Sequence, residues 1–542
     1  MTPFVSIDQN SHPLWDTLPK LNALEAKGIT GTHLLEDIDV AFTRQGAAPG
    51  DGGDLEIAAE RYYRGGTSDW GATLFYTRIL GRNPLDVRDL EPYTGMSTKA
   101  LARLLDVTVD ALYDRYSVSD NWQMIGGSYI DETRQAHRVI GDLTISETAE
   151  HIFSLVELAR DDLWSTFPES AARERIKAFF DQETGRLTRI IGARPPDAPL
   201  VDLYRDWISA HTSTVRYGVT SERFAIDRPE TRRDPLLRFF LNDYETACGL
   251  YNEAVTETGS ALNKLSVTVG ELPFFAVWRK NGAFFRTPMV IDNRSVIAGA
   301  HAWTLKETAR GFELPVDEMI KAGVSGVAGK ALLLVLQARS GPGGDALALP
   351  YRGSSYMPTA RLLEKKLARA NILSVPVKPV YRIKLNFPQS LRHAQTILQL
   401  PPHLARSFGV TEIRAADFAE QMETVSTQNQ AALTACEQAE GRQALMRRLT
   451  PELEEEAAAL DSRRKEVARN PETRHLAADL WDDVKRLRKR QWETFMDAVV
   501  TYVHTADLDY FNSRGAVYPW SLAIGGPAHY DHVISAAEIY EE

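Results

Sequence analysis

The chain has 542 residues, 44% hydrophobic and 25% charged, with a formal net charge of −11 at pH 7. That length exceeds what one hydrophobic core serves and predicts two or three domains, while the negative balance argues against nucleic acid or an anionic membrane as a partner for the whole surface. Two cysteines, Cys248 and Cys436, supply neither a disulfide framework nor a zinc pair, and no apolar stretch approaches the roughly 20 residues of a membrane span.

Residues 1–145 read as a mixed helical N-terminal region. Residues 1–8 carry no basic or apolar leader pattern, so a cytoplasmic protein is expected. His33 stands ahead of Glu36, Asp37 and Asp39. A histidine among acids has the chemistry of a metal ligand or a base, but a surface or capping histidine is the commoner outcome and the expectation here, with no metal assigned. Residues 97–116 have the shape of a helix-turn-helix. Asp110 and Asp114 sit where phosphate would lie, Asp106 replaces the usual turn glycine, and Arg115 is the one base of the second helix. A packed helical hairpin without DNA is the expectation. Asp120, Asn121, Trp122 and Gln123, followed by Gly126-Gly127, bring an acid, two amides and an indole together. That mix suits a small polar ligand, with Asp120 and the strand-end acid Asp142 as the catalytic candidates.

Residues 146–410 read as an α/β body. Helical spacing runs through Ile152, Leu155, Leu158 and Leu163, and again through Leu236, Phe239, Phe240, Tyr244 and Leu250. Two strands, 272–278 and 284–291, flank Asn281-Gly282, the pair that favours a tight hairpin turn. The apolar run Ala331-Leu332-Leu333-Leu334-Val335-Leu336 predicts a strand buried on both faces, as in parallel sheets, although a buried helix turn has the same pattern. The Gly341–Gly344 loop follows it. There Gly343 and Gly344 would let backbone N–H groups approach an anion such as a nucleotide phosphate or a carboxylate. Arg339 and Arg352 flank the loop with fixed positive charge, and Tyr356 completes the proposed ligand-binding set. Alternation of helix and strand types implies a partly parallel sheet covered by helices.

Residues 411–510 are almost wholly helical. Thr450-Pro451-Glu452 is a helix start, with Thr450 as N-cap and Pro451 at the first helical position. Leu453, Leu460, Leu480 and Leu487 mark the seam of a coiled-coil helical hairpin. Trp481, Trp492 and Val500 lie off that seam, and exposed apolar area of this kind implies a homodimer through the hairpin. Residues 511–542 read as a C-terminal segment packed on the body by Trp520 and Tyr530, with Gly525-Gly526-Pro527, His529, Asp531 and His532 closing a site.

The α/β body, the segment 363–372 and the long hairpin together resemble the bacillithiol biosynthesis cysteine-adding enzyme family. Tyr251-Asn252 and Glu271-Leu272-Pro273-Phe274-Phe275-Ala276-Val277-Trp278 are similar to segments of bacterial proteins near that family. The resemblance spans residues 235–500. It implies a Rossmann-like body with inserted helices and a dimerising coiled coil. The function expected is therefore that of a ligase- or transferase-type enzyme acting on a small polar metabolite. The competing reading is a non-catalytic scaffold whose working part is the hairpin.

Overall fold

The computed structural model describes residues 3–8, 14–39, 87–116, 137–260, 262–341, 343–352, 356–373, 376–508 and 517–542. In chain order the strands that matter here are Phe4–Asp8 (β1), Gly31–Leu35 (β2), Arg216–Val219 (β3), Glu271–Lys280 (β4), Ala283–Asp292 (β5), Ser295–Ala298 (β6), His301–Thr304 (β7), Val324–Gly329 (β8), Ala346–Pro350 (β9), Val380–Lys384 (β10) and Glu538–Glu541 (β11).

Six of them form a mostly parallel sheet in the order β11-β10-β9-β1-β2-β3, with only β11 antiparallel. Counted along the chain within this sheet alone, the order is 3-2-1-4-5-6, so the winding direction reverses between β1 and β9. The strands come from both ends of the chain rather than from residues 146–410 alone.

Alternation along each strand sends its side chains into two different cores. Phe4, Leu35, Ala346, Ala348, Tyr381 and Ile383 face one, with the helices Ile145–Thr166, Ser170–Gly192 and Leu200–Ser209. Val5, Ile7, Leu34, Leu347 and Leu349 face the other, with the helices Pro235–Asn242 and Tyr244–Glu257. Local signals set the ends of these elements. Thr144 and Glu147 exchange the two bonds of a capping box at the start of Ile145–Thr166. Trp520 is fully buried, edge-on to Phe167 and Phe387, so the helix Val517–Gly525 is part of the first core.

A second, antiparallel sheet runs β8-β4-β5-β6-β7. The β4–β5 hairpin turns at Asn281 (φ 53°) and Gly282 (φ 81°), the left-handed pair that the Asn-Gly sequence favours. Residues 331–336 correct the sequence reading. They begin the helix Ala331–Arg339, in which every residue from Leu332 to Arg339 is buried. The helix packs on β8, β9 and the helix Met357–Arg369. An element walled in on all sides has no polar face, and an apolar run without periodicity cannot tell such a helix from a strand.

The helices Pro451–Arg469 and Ala477–Thr505 pack side by side as a hairpin. Thr450 occupies the N-cap position, but its hydroxyl donates back to the Met446 carbonyl at 2.9 Å instead of capping. The base of the hairpin is covered by the chain itself. Phe495, Met496, Val499 and Val500 form a third core with Val87, Leu90, Leu101, Leu105 and Leu112, and Trp492 packs against it. The helices Thr98–Leu104 and Val109–Tyr116 do form a helical hairpin, with Asp106 in the left-handed region at φ 53°. Arg115 turns to Glu493 and Asp497, 3.7 Å from each. Of the three off-seam side chains, only Trp481 is exposed, which removes most of the apolar area invoked for a dimer. Among the described residues no helix is long and apolar enough to cross a membrane.

Candidate active site at the carboxyl edge of the sheet

β2 leaves the sheet through Leu34 and Leu35, one side chain in each core, and continues directly into Glu36-Asp37-Ile38-Asp39. Ile38 is buried and anchors this loop, so the flanking carboxyl groups of Glu36 and Asp37 are drawn out of water with it. Their polar partners arrive from distant parts of the chain. At the end of the neighbouring β3, Thr220 donates to Glu36 Oε2 at 3.0 Å. Ser221 donates its backbone N–H to Asp37 Oδ1 at 2.8 Å and its hydroxyl to Asp37 Oδ2 in a short hydrogen bond.

The β4–β5 hairpin closes the other side with two arginines. Arg286, buried and stacked 4.0 Å over the Phe275 ring, donates to the Ile38 carbonyl at 3.0 Å and reaches Asp39 Oδ1 at 3.3 Å. Arg279 lies over the Phe284 ring, 4.0 Å from Asp37 Oδ2, with more than half its side chain exposed. The turn Ile140–Asp142 completes the floor, since Gly141 donates its N–H to the Asp37 carbonyl at 2.8 Å. A Cβ at Gly141 would stand 2.5 Å from the Phe284 ring, so this approach requires glycine.

Burial decides the electrostatics. It raises the Asp37 carboxyl from 3.8 to about 6, against the opposing bonds from Ser221 and the charge of Arg279. Glu36 is pushed well above the usual carboxylate range, first by burial and then by the charges of Asp39 and Asp37. Around pH 6 the arrangement therefore holds one carboxyl poised between its two protonation states and bonded to a hydroxyl. That is the chemistry of a general acid–base group, and the exposed Arg279 beside it can neutralise an anionic reactant.

His33, expected at the surface, is fully buried in the sheet on the row Ser6–His33–Tyr217. Its Nδ1 lies 3.1 Å from Ser6 Oγ and its ring stands edge-on to Tyr217. Strand alternation sends it into the first core together with Leu35. Asp142 lies in a 3₁₀ turn rather than at a strand end, and its Oδ1 accepts from the Phe284 N–H at 2.7 Å. It thus positions the hairpin next to Asp37. Asp120, Asn121, Trp122 and Gln123 lie outside the described residues.

The remaining candidates are split between the two ends of β9. Gly343 and Gly344 lead into the strand, at its amino end. The Gly343 carbonyl takes a short hydrogen bond from Arg223, and a Cβ at Gly344 would stand 2.3 Å from the Arg339 carbonyl. Arg339 is buried and turned away from the loop, donating to the Lys378 carbonyl at 2.6 Å and pairing with Glu364 at 3.1 Å. The loop is an internally bonded helix-to-strand connection. Arg352 and Tyr356 follow β9 at its carboxyl end, where Arg352 is ion-paired with Asp507. At the far end of the chain, Gly526 alone separates the helices Val517–Gly525 and Pro527–Ala536, and His529 Nε2 sits 3.4 Å from Ser390 Oγ.

Residue-level reading of the sequence missed Ser221, Arg279 and Arg286. Arg286 had a signal, a lone cation in the middle of an apolar strand. Ser221 had none, because its partner Asp37 is 184 positions away. Comparison of the chain with protein families, curated proteins and solved structures finds no match. Among the described residues no group of three or more histidine, cysteine or acidic side chains is placed to hold a metal ion.

Proposed function

We propose that the chain is an enzyme of ligase or transferase type acting on a small polar, anionic metabolite, with Asp37 as the proton-transferring group. One observation carries the reading: a buried carboxyl raised to about 6 and bonded to the Ser221 hydroxyl and N–H, at the carboxyl ends of adjacent parallel strands. Ligands of open α/β sheets sit outside the carboxyl ends of the strands, and the order 3-2-1-4-5-6 is the one Rossmann-type sheets use, which supports a Rossmann-like reading of the body. On that reading a nucleotide cosubstrate would lie at the reversal between β1 and β9, near Arg352 and Tyr356. Arg279 meets the anionic part of the second reactant, and Asp37 exchanges a proton with its attacking or leaving group.

The test is mass spectrometry of small molecules that stay with the purified chain and are released on denaturation. An anionic metabolite carried by the unaltered protein and lost from Arg279→Ala is the expected result. Equal retention by Arg279→Ala, or no retained molecule at all, counts against the reading.

The runner-up, a scaffold that works through a coiled-coil hairpin, draws on Trp481. Its exposed ring is bracketed by Arg464, Lys485 and Arg488 on the outside of the hairpin. Light scattering at micromolar concentration separates the two: a species of twice 60.6 kDa that becomes monomeric in Trp481→Ala supports the scaffold.

A further inference from the structure

A second place in the fold is built to receive a ligand, and it is carried by observations independent of residues 36–39. Between β4 and β5 the ladder is broken. Glu271 pairs with Val290 and Phe275 with Pro288, so four residue steps on β4 face two on β5. Pro288 has no N–H to give to the ladder there, and a bulge of this kind re-aims the side chains around it. The hairpin opens into a cleft of about 550 Å³, within the roughly 300–1,000 Å³ typical of small-molecule sites. Val269, Pro288, Val290 and Ile297 form its apolar side, and Ser266, Glu271 and Lys330 supply its polar groups.

Lys330 and Glu271 line the same cleft as a half-buried pair, 3.0 Å apart. The Glu271 carboxylate is doubly held, since its other oxygen accepts the Ser266 N–H at 3.0 Å. The Lys330 ammonium has three donors. One goes to Glu271, and the Phe275 ring lies 5.2 Å away on another side, which leaves donor capacity toward the cleft. Lys330 is fixed in place by its own N–H, which donates to the Pro273 carbonyl at 2.9 Å. The next residue, Ala331, is held at φ 25°, a strained value for a residue with a side chain.

We propose that this cleft binds a small amphipathic carboxylate, with the carboxylate on Lys330 and the apolar body against Val269, Pro288, Val290 and Ile297. The apolar side favours a ligand with a hydrocarbon body, and the Lys330 donors not used by Glu271 favour an acceptor head group such as a carboxylate. The Phe275 ring carries Lys330 at 5.2 Å and Arg286 at 4.0 Å, so one buried ring lies between a cation of the cleft and a cation of the acidic loop.

Calorimetric titration of the full chain with octanoate, octylamine and octanol tests the proposal. Octanoate is expected to bind at least about tenfold more tightly than the other two, and Lys330→Met to weaken octanoate by about tenfold or more while leaving octanol nearly unchanged. Val290→Trp, which fills the cleft from the position opposite Glu271 on the neighbouring strand, is expected to abolish binding of all three. The proposal is overturned if folded protein gives no heat with octanoate, or if octylamine binds best and is lost in Glu271→Gln. It is equally overturned if Lys330→Met binds octanoate within about twofold of the unaltered chain. Should Lys330→Met fail to fold, Val290→Trp decides alone, and undiminished octanoate binding in that variant overturns the assignment.

Discussion

The body around the central sheet and the hairpin of residues 451–505 handle charge in opposite ways. The body buries Glu36, Asp37 and Arg286 and gives each a hydrogen-bond partner far away in the sequence. The hairpin carries its charges outward in local pairs three or four residues apart, such as Lys485 with Asp482 and Arg486 with Asp483. In the first region charge is withheld from water, so its protonation becomes sensitive to structure. In the second, water and salt screen each pair and little depends on any one of them. Chemistry is therefore sought in the body, and the hairpin is read as a solvated arm.

The largest expected effect tests burial itself. Trp520→Ala should cost about 3–5 kcal/mol, because a fully buried indole leaves a cavity between Phe167 and Phe387. Trp481→Ala, on the flank of the hairpin where Arg464, Lys485 and Arg488 pack on the ring, should cost less, about 1–2 kcal/mol. Chemical denaturation of both variants measures the contrast, and comparable losses would break the distinction between the two regions.

Asp37→Asn gives the next largest effect and has a definite pH dependence. The native carboxyl holds its proton more tightly than the unfolded one, so its contribution to stability is complete below the unfolded value of 3.8 and is lost as pH rises through about 6. Removing the ionisable group should leave stability unchanged relative to the unaltered chain below pH 4 and raise it above pH 6, by at most about 3 kcal/mol. Melting curves across that range check the sign. If Asp37 also transfers a proton, the same variant loses turnover, and the activity of the unaltered chain rises through about pH 6 when the group acts as a base.

The smallest effect belongs to the hairpin. A double-mutant cycle on Arg486 and Asp483, both well exposed, should return a coupling under about 0.5 kcal/mol that disappears in high salt. A coupling several times larger would mean that the hairpin charges are organised for a contact rather than merely solvated.

What could be read from the sequence was whatever the local chain decides. Asn281-Gly282 fixes its turn within two residues, so a short-range pattern carries that element. The cluster Glu36-Asp37-Ile38-Asp39 was visible as a composition, but its burial was not. That burial depends on Thr220 and Ser221, which follow β3, and on Arg286 from a hairpin almost 250 positions away. The helix Ala331–Arg339 was misread as a strand for a related reason. The two sheets that bury it on both sides erase the periodicity by which a helix is recognised.

The pairing of β1 with β9 matters for synthesis. Phe4 meets Gly31 on one side and Ala346 on the other, so β1 gains β2 early but waits for β9, at 5–20 residues per second for roughly 20–70 s. The antiparallel edge strand β11 comes later still. During that interval Phe4, Val5, Leu34 and Leu35, all destined for one core or the other, have no complete surface to cover them. Such a nascent chain exposes unpaired apolar strands and invites aggregation, which makes holding factors and the pace of translation determinants of its folded yield.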